Sequence, residues 1–92
     1  MQLRFEWDEA KNRSNQGKHG VSFEEAAQIF RDPIHVSIQD RIENGEERWQ
    51  TFGIVQGVML LMVAHTVRED SHAETTIRII SARRATRQER VL

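Results

Sequence analysis

The stretch that decides the fold is Thr75 to Arg90, TTIRIISARRATRQER. Residues 76–80 are β-branched except at Arg78, and branched side chains suit a pleated sheet surface. Ser81 can cap a helix, and residues 82–90 follow without Gly or Pro, which predicts a strand running straight into a basic helix. On that helix Arg83, Arg87 and Arg90 share one face, Arg84 lies at its edge, and Ala82, Ala85 and Leu92 point inward. A sheet strand then presents one arginine and the following helix four more, and the rest of the chain reads as support for this cationic corner.

The charge distribution carries the same message. Residues 75–92 hold five Arg and one acid, whereas residues 1–74 hold eight Lys plus Arg against thirteen acids. Such a split within 92 residues suggests a polyanion on one side. A solvated terminal segment accounts for it equally well. There is no cysteine, which excludes disulfides and thiolate metal sites. No signal pattern opens the chain, and its longest apolar run is far too short to cross a bilayer. A single cytoplasmic domain with no membrane contact is expected.

Ahead of the corner, Leu3, Phe5 and Trp7 alternate with polar residues in a short period-2 segment. Asp8 is a candidate N-cap for a helix over residues 9–19, with Gly20 as its stop. Lys11, Asn15 and Lys18 line up along that helix, which has almost nothing apolar to bury. Ser22 and Glu25 make a capping box, and Phe23, Ala26, Ala27 and Phe30 form the apolar face of a second helix ended by Asp32-Pro33.

Ile34, Val36 and Ile38 then alternate with His35 and Ser37, predicting a half-buried first strand. Asn44-Gly45 marks a hairpin. Residues 48–55 form a second strand, with Trp49 and Thr51 on one face and Phe52 and Ile54 on the other. Gln56-Gly57 is a tight turn. Residues 58–66, apolar on both faces, belong at the centre of the sheet. The predicted order is α-α-β-β-β-β-α.

His65 ends the central strand. With a hairpin centred near Ser71 it would oppose Ile77 or Arg78, but a slip of one residue reverses the face. It reads either as a proton-transfer group beside phosphate-binding arginines or as a strand-end histidine bonded to backbone. Arg78 either meets an anion or lies on a water-facing side of the sheet. Trp7 either stacks a base or packs in the core. His19, His35, His65 and His72 show no ligand spacing, so no metal and no cofactor are expected.

The segments FEWDEAKNRSNQGKHGVSFEEAAQIF, RWQTFGIVQGVMLLMVAHT and IRIISARRATRQER resemble the BrnT family of bacterial type II toxins. The resemblance covers nearly the whole chain in order. It implies a RelE-like α+β fold: two N-terminal helices on a four-stranded antiparallel sheet, with a C-terminal basic helix. It also implies an RNA-cleaving toxin inhibited by a BrnA-type ribbon-helix-helix antitoxin, which contacts operator DNA and whose dimer would gather two toxins into a heterotetramer.

The family's basic residues fall on Lys18 and His19, His65, Arg78 and Arg83. Such a set suits metal-free scission, with one group taking the 2′-hydroxyl proton, another protonating the 5′-oxygen, and arginines offsetting phosphate charge to leave a 2′,3′-cyclic phosphate. Arg78 and Arg83 are the expected phosphate stabilisers and His65 the expected proton-transfer group. Lys11, Trp7, Arg84, Arg87 and Arg90 are the expected RNA contacts. The competing expectations are a non-catalytic module that binds nucleic acid or antitoxin on the same surface, and a small interaction domain with no nucleic-acid role.

Overall fold

A computed structural model describes residues 2–57, 59–69 and 73–91. Strand β1 (Gln2–Glu6) leads into helix α1 (Glu9–His19), helix α2 (Phe23–Ala27) and a 3-10 turn (Gln28–Arg31). Strands β2 (Val36–Glu43), β3 (Glu46–Val55), β4 (Met59–Glu69) and β5 (Glu74–Arg84) follow, and a second 3-10 turn covers Glu89–Val91. The sheet order is β1-β5-β4-β3-β2, so the most apolar strand is central.

Local signals land where the residues place them. Asp8 Oδ1 accepts from the N–H groups of Ala10 and Lys11, and Gly20 closes α1 at φ 71°. The Ser22–Glu25 capping box is formed. Asn44-Gly45 and Gln56-Gly57 both adopt positive φ, the first as the two-residue hairpin between Glu43 and Glu46 requires.

The architecture departs from the expected one in two ways, although it is α+β. The period-2 opening segment is a fifth strand, pairing in parallel with β5 from Gln2–Glu74 to Glu6–Arg78, so the sheet is mixed. The C-terminal helix is absent. Residues 82–84 continue β5 in register with β4, Ala82 opposing Val63 and Arg84 opposing Leu61. Backbone donors there are already satisfied by a strand on one side and, at Ala82, by the Asn15 side chain on the other. A helix would forfeit both sets of bonds. The predicted shared face of Arg83, Arg87 and Arg90 therefore does not form. Leu92, His72 and the Ser71 loop centre lie outside the described residues.

Helices cover one face of the sheet. Val21, Phe23, Ala26 and Ile29 bury against Val55, Leu61, Val63, Ile77, Ile79 and Ala82. A β-bulge makes this possible on β5. Ala64 opposes Ser81 while His65 opposes Ile79, leaving Ile80 as an extra residue. It brings Ile79 and Ala82 to one face despite their odd spacing. It also brings Arg78 and Arg83 together on the other.

Helix α1, polar all round, solves its packing with amides. Asn12 accepts from the Phe23 N–H at 2.8 Å, and Asn15 bonds to Val21 and Ala82. Gly53 lets the first 3-10 turn approach the sheet: a Cβ there would lie 2.8 Å from Ile29 Cβ and 3.1 Å from its carbonyl oxygen.

Candidate functional site

Beyond the end of the helices the same face of the sheet is uncovered, leaving a cleft of about 510 Å³. Phe30, Trp49, Val67 and Ile77 give it apolar walls, and His35, Ser37 and His65 supply its polar groups. The first strand is thus inverted relative to the expectation. Its His35/Ser37 side faces the cleft, while Ile34, Val36 and Ile38 are exposed. An edge strand outside the helical cover leaves its aliphatic side unburied.

His65 is only 2% exposed. Its Nδ1–H donates to the Thr66 carbonyl at 3.3 Å, which leaves Nε2 as acceptor for the Thr51 hydroxyl at 2.6 Å. Thr51 Oγ1 in turn lies 2.7 Å from the Ser37 hydroxyl at the rim. Three side chains from β4, β3 and β2 thereby form a hydrogen-bonded line from the rim to the buried imidazole. Burial holds His65 below the usual histidine pKa, opposed by the Thr66 carbonyl, so the ring is neutral near pH 7.

The Phe30 ring packs edge-on against both imidazoles, 5.1 Å from His65 and 5.9 Å from His35. His35 Nδ1 donates to the Asp32 carbonyl at 2.7 Å. The Asp32 carboxylate accepts from the N–H groups of Ile54 and Ile34, which holds its pKa below the ordinary value and ties the turn to β3.

The expected basic cluster is divided. Thr66, next to His65, opposes Arg78, so His65 and Arg78 lie on opposite faces. Arg78 sits on the open face, where Glu6 Oε1 lies 3.7 Å from it and 3.2 Å from Arg68. Arg4 pairs with Glu74 on that face at 3.3 Å. Arg83 is held bidentately by Glu89 at 2.8 and 3.0 Å, and the guanidinium pulls the Glu89 carboxyl down to about 2.

Lys18 is exposed and His19 half-buried at the end of α1, and among the described residues neither has a hydrogen bond or ion pair to the cleft. Lys11, Arg84, Arg87 and Arg90 are exposed. Trp7 packs edge-on against Phe23, with its indole N–H taken by Glu9. A second, smaller groove of about 230 Å³ on the open face is lined by Val36, Ile38, Phe52, Ile54 and Leu60, with Arg90 at its rim. Among the described residues no three His, Asp or Glu converge as metal ligands, and no helix is long and apolar enough to cross a membrane.

Sequence reasoning passed over His35, Ser37 and Trp49 as site residues. The available signal was the alternation itself, since His35 and Ser37 alternate with Ile34, Val36 and Ile38, and Trp49 and Thr51 share a face of the next strand.

A family model described as the ribonuclease toxin BrnT of a type II toxin–antitoxin system matches residues 7–89. The chain belongs to that family. The crystal structure of the Brucella abortus ribonuclease toxin BrnT superposes with a TM-score of 0.68 at 22% identity, covering 95% of this chain and 100% of that one. At that identity it supports the fold alone. No protein with a curated description matches. The BrnT family thus sets the frame: a ribonuclease toxin that works on RNA and is paired with an antitoxin.

Proposed function

We propose that the chain is an endoribonuclease that cuts RNA without a metal, with His65 as the acceptor of the 2′-hydroxyl proton. The observation that carries this reading is the Ser37–Thr51–His65 line, which opens into a cleft walled by aromatic rings. A neutral imidazole at the inner end can receive a proton, and Trp49 offers a face for a splayed base. The 2′-oxygen attacks phosphorus, the P–O5′ bond breaks, and the product carries a 2′,3′-cyclic phosphate.

In this reading the arginines hold the chain of phosphates rather than the scissile one. Arg78 grips flanking backbone on the open face, and Arg83 joins it when Glu89 yields. Lys11, Lys18, His19, Arg84, Arg87 and Arg90 add long-range attraction, and Trp7 borders the path. The inhibitor is a BrnA-type ribbon-helix-helix antitoxin, docked across the exposed Arg84 to Arg90 segment. Its dimer carries two toxins and supplies the contact with operator DNA.

Cleavage of a purified single-stranded RNA in EDTA tests this. The native chain is expected to cut, His65→Ala to lose cleavage, and Arg83→Ala to bind more weakly with a proportionate loss. Cleavage abolished by EDTA would overturn the metal-free route.

One observation favours a second reading, a binding module without catalysis. His65 is nearly inaccessible, and Arg4, Arg78 and Arg83 are already paired with carboxylates. RNA bound with a steep salt dependence but left intact would select it.

A further inference from the structure

We propose that His35, just before β2, is the general acid of the cleavage and that Ser37, two positions on and lining the same cleft, receives the 2′-hydroxyl proton and passes it through Thr51 to His65. This rests on the reading of His65 given above and extends it to the other half of the reaction.

The geometry points to this pairing in several ways. His35 stands immediately before β2 and Ser37 within it, and both side chains line the same cleft, at a spacing of about 7 Å for positions two apart along a strand. A phosphate with its 2′- and 5′-oxygens fits between two such groups. Both line the cleft, and both are exposed at its mouth, whereas His65 is sealed below.

Each histidine has one nitrogen committed to backbone. His35 Nδ1 is held by the Asp32 carbonyl, so Nε2 is the nitrogen left for substrate. His65 Nδ1 is held by the Thr66 carbonyl, so Nε2 is the end that accepts from Thr51. The Phe30 edge against both rings fixes their orientation, and Gly53 allows the turn bearing Phe30 to sit that low. One imidazole is buried and the other is exposed at the mouth beside Asp32, so His35 is the ring that can reach a leaving oxygen while His65 is reached only through Thr51.

The steps balance. The 2′-O–H proton moves to Ser37 Oγ as the Ser37 proton moves to Thr51 and the Thr51 proton to His65 Nε2. The 2′-oxygen bonds to phosphorus. The P–O5′ bond breaks, and O5′ takes the proton from His35 Nε2. Solvent then reprotonates His35 and removes the proton from His65 by the reverse path.

A leaving group that needs no proton separates the acid from the rest. The native chain is used to map a cleavage site in a single-stranded RNA. The same RNA is then made with sulfur replacing the bridging 5′-oxygen at that site. His35→Ala is expected to cut the oxygen substrate about 10²–10⁴-fold more slowly than the native chain, yet to cut the sulfur substrate within about tenfold of it. Ser37→Ala and His65→Ala should be slow on both. His35→Asn, which preserves a donor to the Asp32 carbonyl, should repeat the sulfur rescue if the alanine variant unfolds.

Equal losses on the two substrates for both His35 variants would overturn the acid role, as would native-like cutting of the oxygen substrate. A native chain that cuts neither substrate would instead overturn the underlying ribonuclease mechanism.

Discussion

Asn15 and Ala82 bond to each other twice across 67 positions of sequence: Asn15 Nδ2 donates to the Ala82 carbonyl at 2.9 Å, and Asn15 Oδ1 accepts from the Ala82 N–H at 3.2 Å. Strand β1 stops opposite Arg78, so β5 has no strand neighbour at Ala82 on that side. The carboxamide takes the place of one. The same Nδ2 also donates to the Val21 carbonyl at 2.9 Å, joining helix, loop and sheet at a single side chain.

Replacing that amide should therefore be costly. Asn15→Ala leaves the Ala82 N–H and two carbonyls buried without partners, and the expected loss is about 2–4 kcal/mol. Urea denaturation of native and variant chains measures it. A loss under about 0.5 kcal/mol would mean that water replaces the amide. Asn12→Ala, at the neighbouring cap of Phe23, should show a smaller loss, because Asn12 Oδ1 accepts from one buried N–H while its Nδ2 bonds carboxylates of the exposed Glu9 and Glu24.

Gly53 should not tolerate a methyl group. A Cβ 2.8 Å from Ile29 Cβ must push the first 3-10 turn off the sheet. Gly53→Ala is expected to cost about 1–3 kcal/mol and to displace Phe30 and His35 with the turn. Thermal melting reads the first effect. The second should appear as altered His35 and His65 ring resonances in NMR, and unchanged spectra would contradict the close approach.

His65 should make stability depend on pH. Its folded pKa lies below the ordinary value of 6.5 because burial disfavours the imidazolium. Between those two values the unfolded chain binds a proton that the folded chain does not. Stability is then complete above about 6.5 and declines as the pH falls toward the folded pKa. Denaturant unfolding from pH 8 to pH 5 should show this decline, and His65→Gln should flatten it. An identical slope in both chains would place the effect elsewhere.

The Arg83–Glu89 pair should act as a brake on polyanion binding. Glu89→Gln removes the carboxylate that occupies the guanidinium, while an amide oxygen remains to accept from the Thr86 N–H, now 2.7 Å from Oε1. Binding of single-stranded RNA should tighten, and the slope of log K against log salt should steepen by about 0.7 for one added phosphate contact. Fluorescence anisotropy titrations at several salt concentrations decide it. An unchanged slope would mean that Arg83 faces no phosphate.

Much of the chain was legible because its signals are local. Asp8, Gly20, the Ser22–Glu25 box, Asp32-Pro33 and the two hairpin turns act over two to four residues, and each appears where the residues place it. The apolar run before Thr66 marked the central strand, and the quoted family segments led to the family that the chain joins. The site was less legible. His65 stands out in the sequence, but its partners Thr51 and Ser37 come from two other strands, and His35 shows there only as the polar half of an alternation and as one of four histidines without ligand spacing.

By itself, then, the sequence determined the caps, the turns, the central strand and the family. Only the tertiary structure decided the fifth strand, the fate of the C-terminal segment and the side of the sheet on which each candidate residue falls. The physical reason is that sheet pairing is non-local. Whether SARR coils or extends depends on Val63 and Leu61 across the strand and on Asn15 across the helix, not on its own propensity. One bulge at Ile80 then set the faces, sending Ile79 and Ala82 inward while Arg78 and Arg83 turn to the open side.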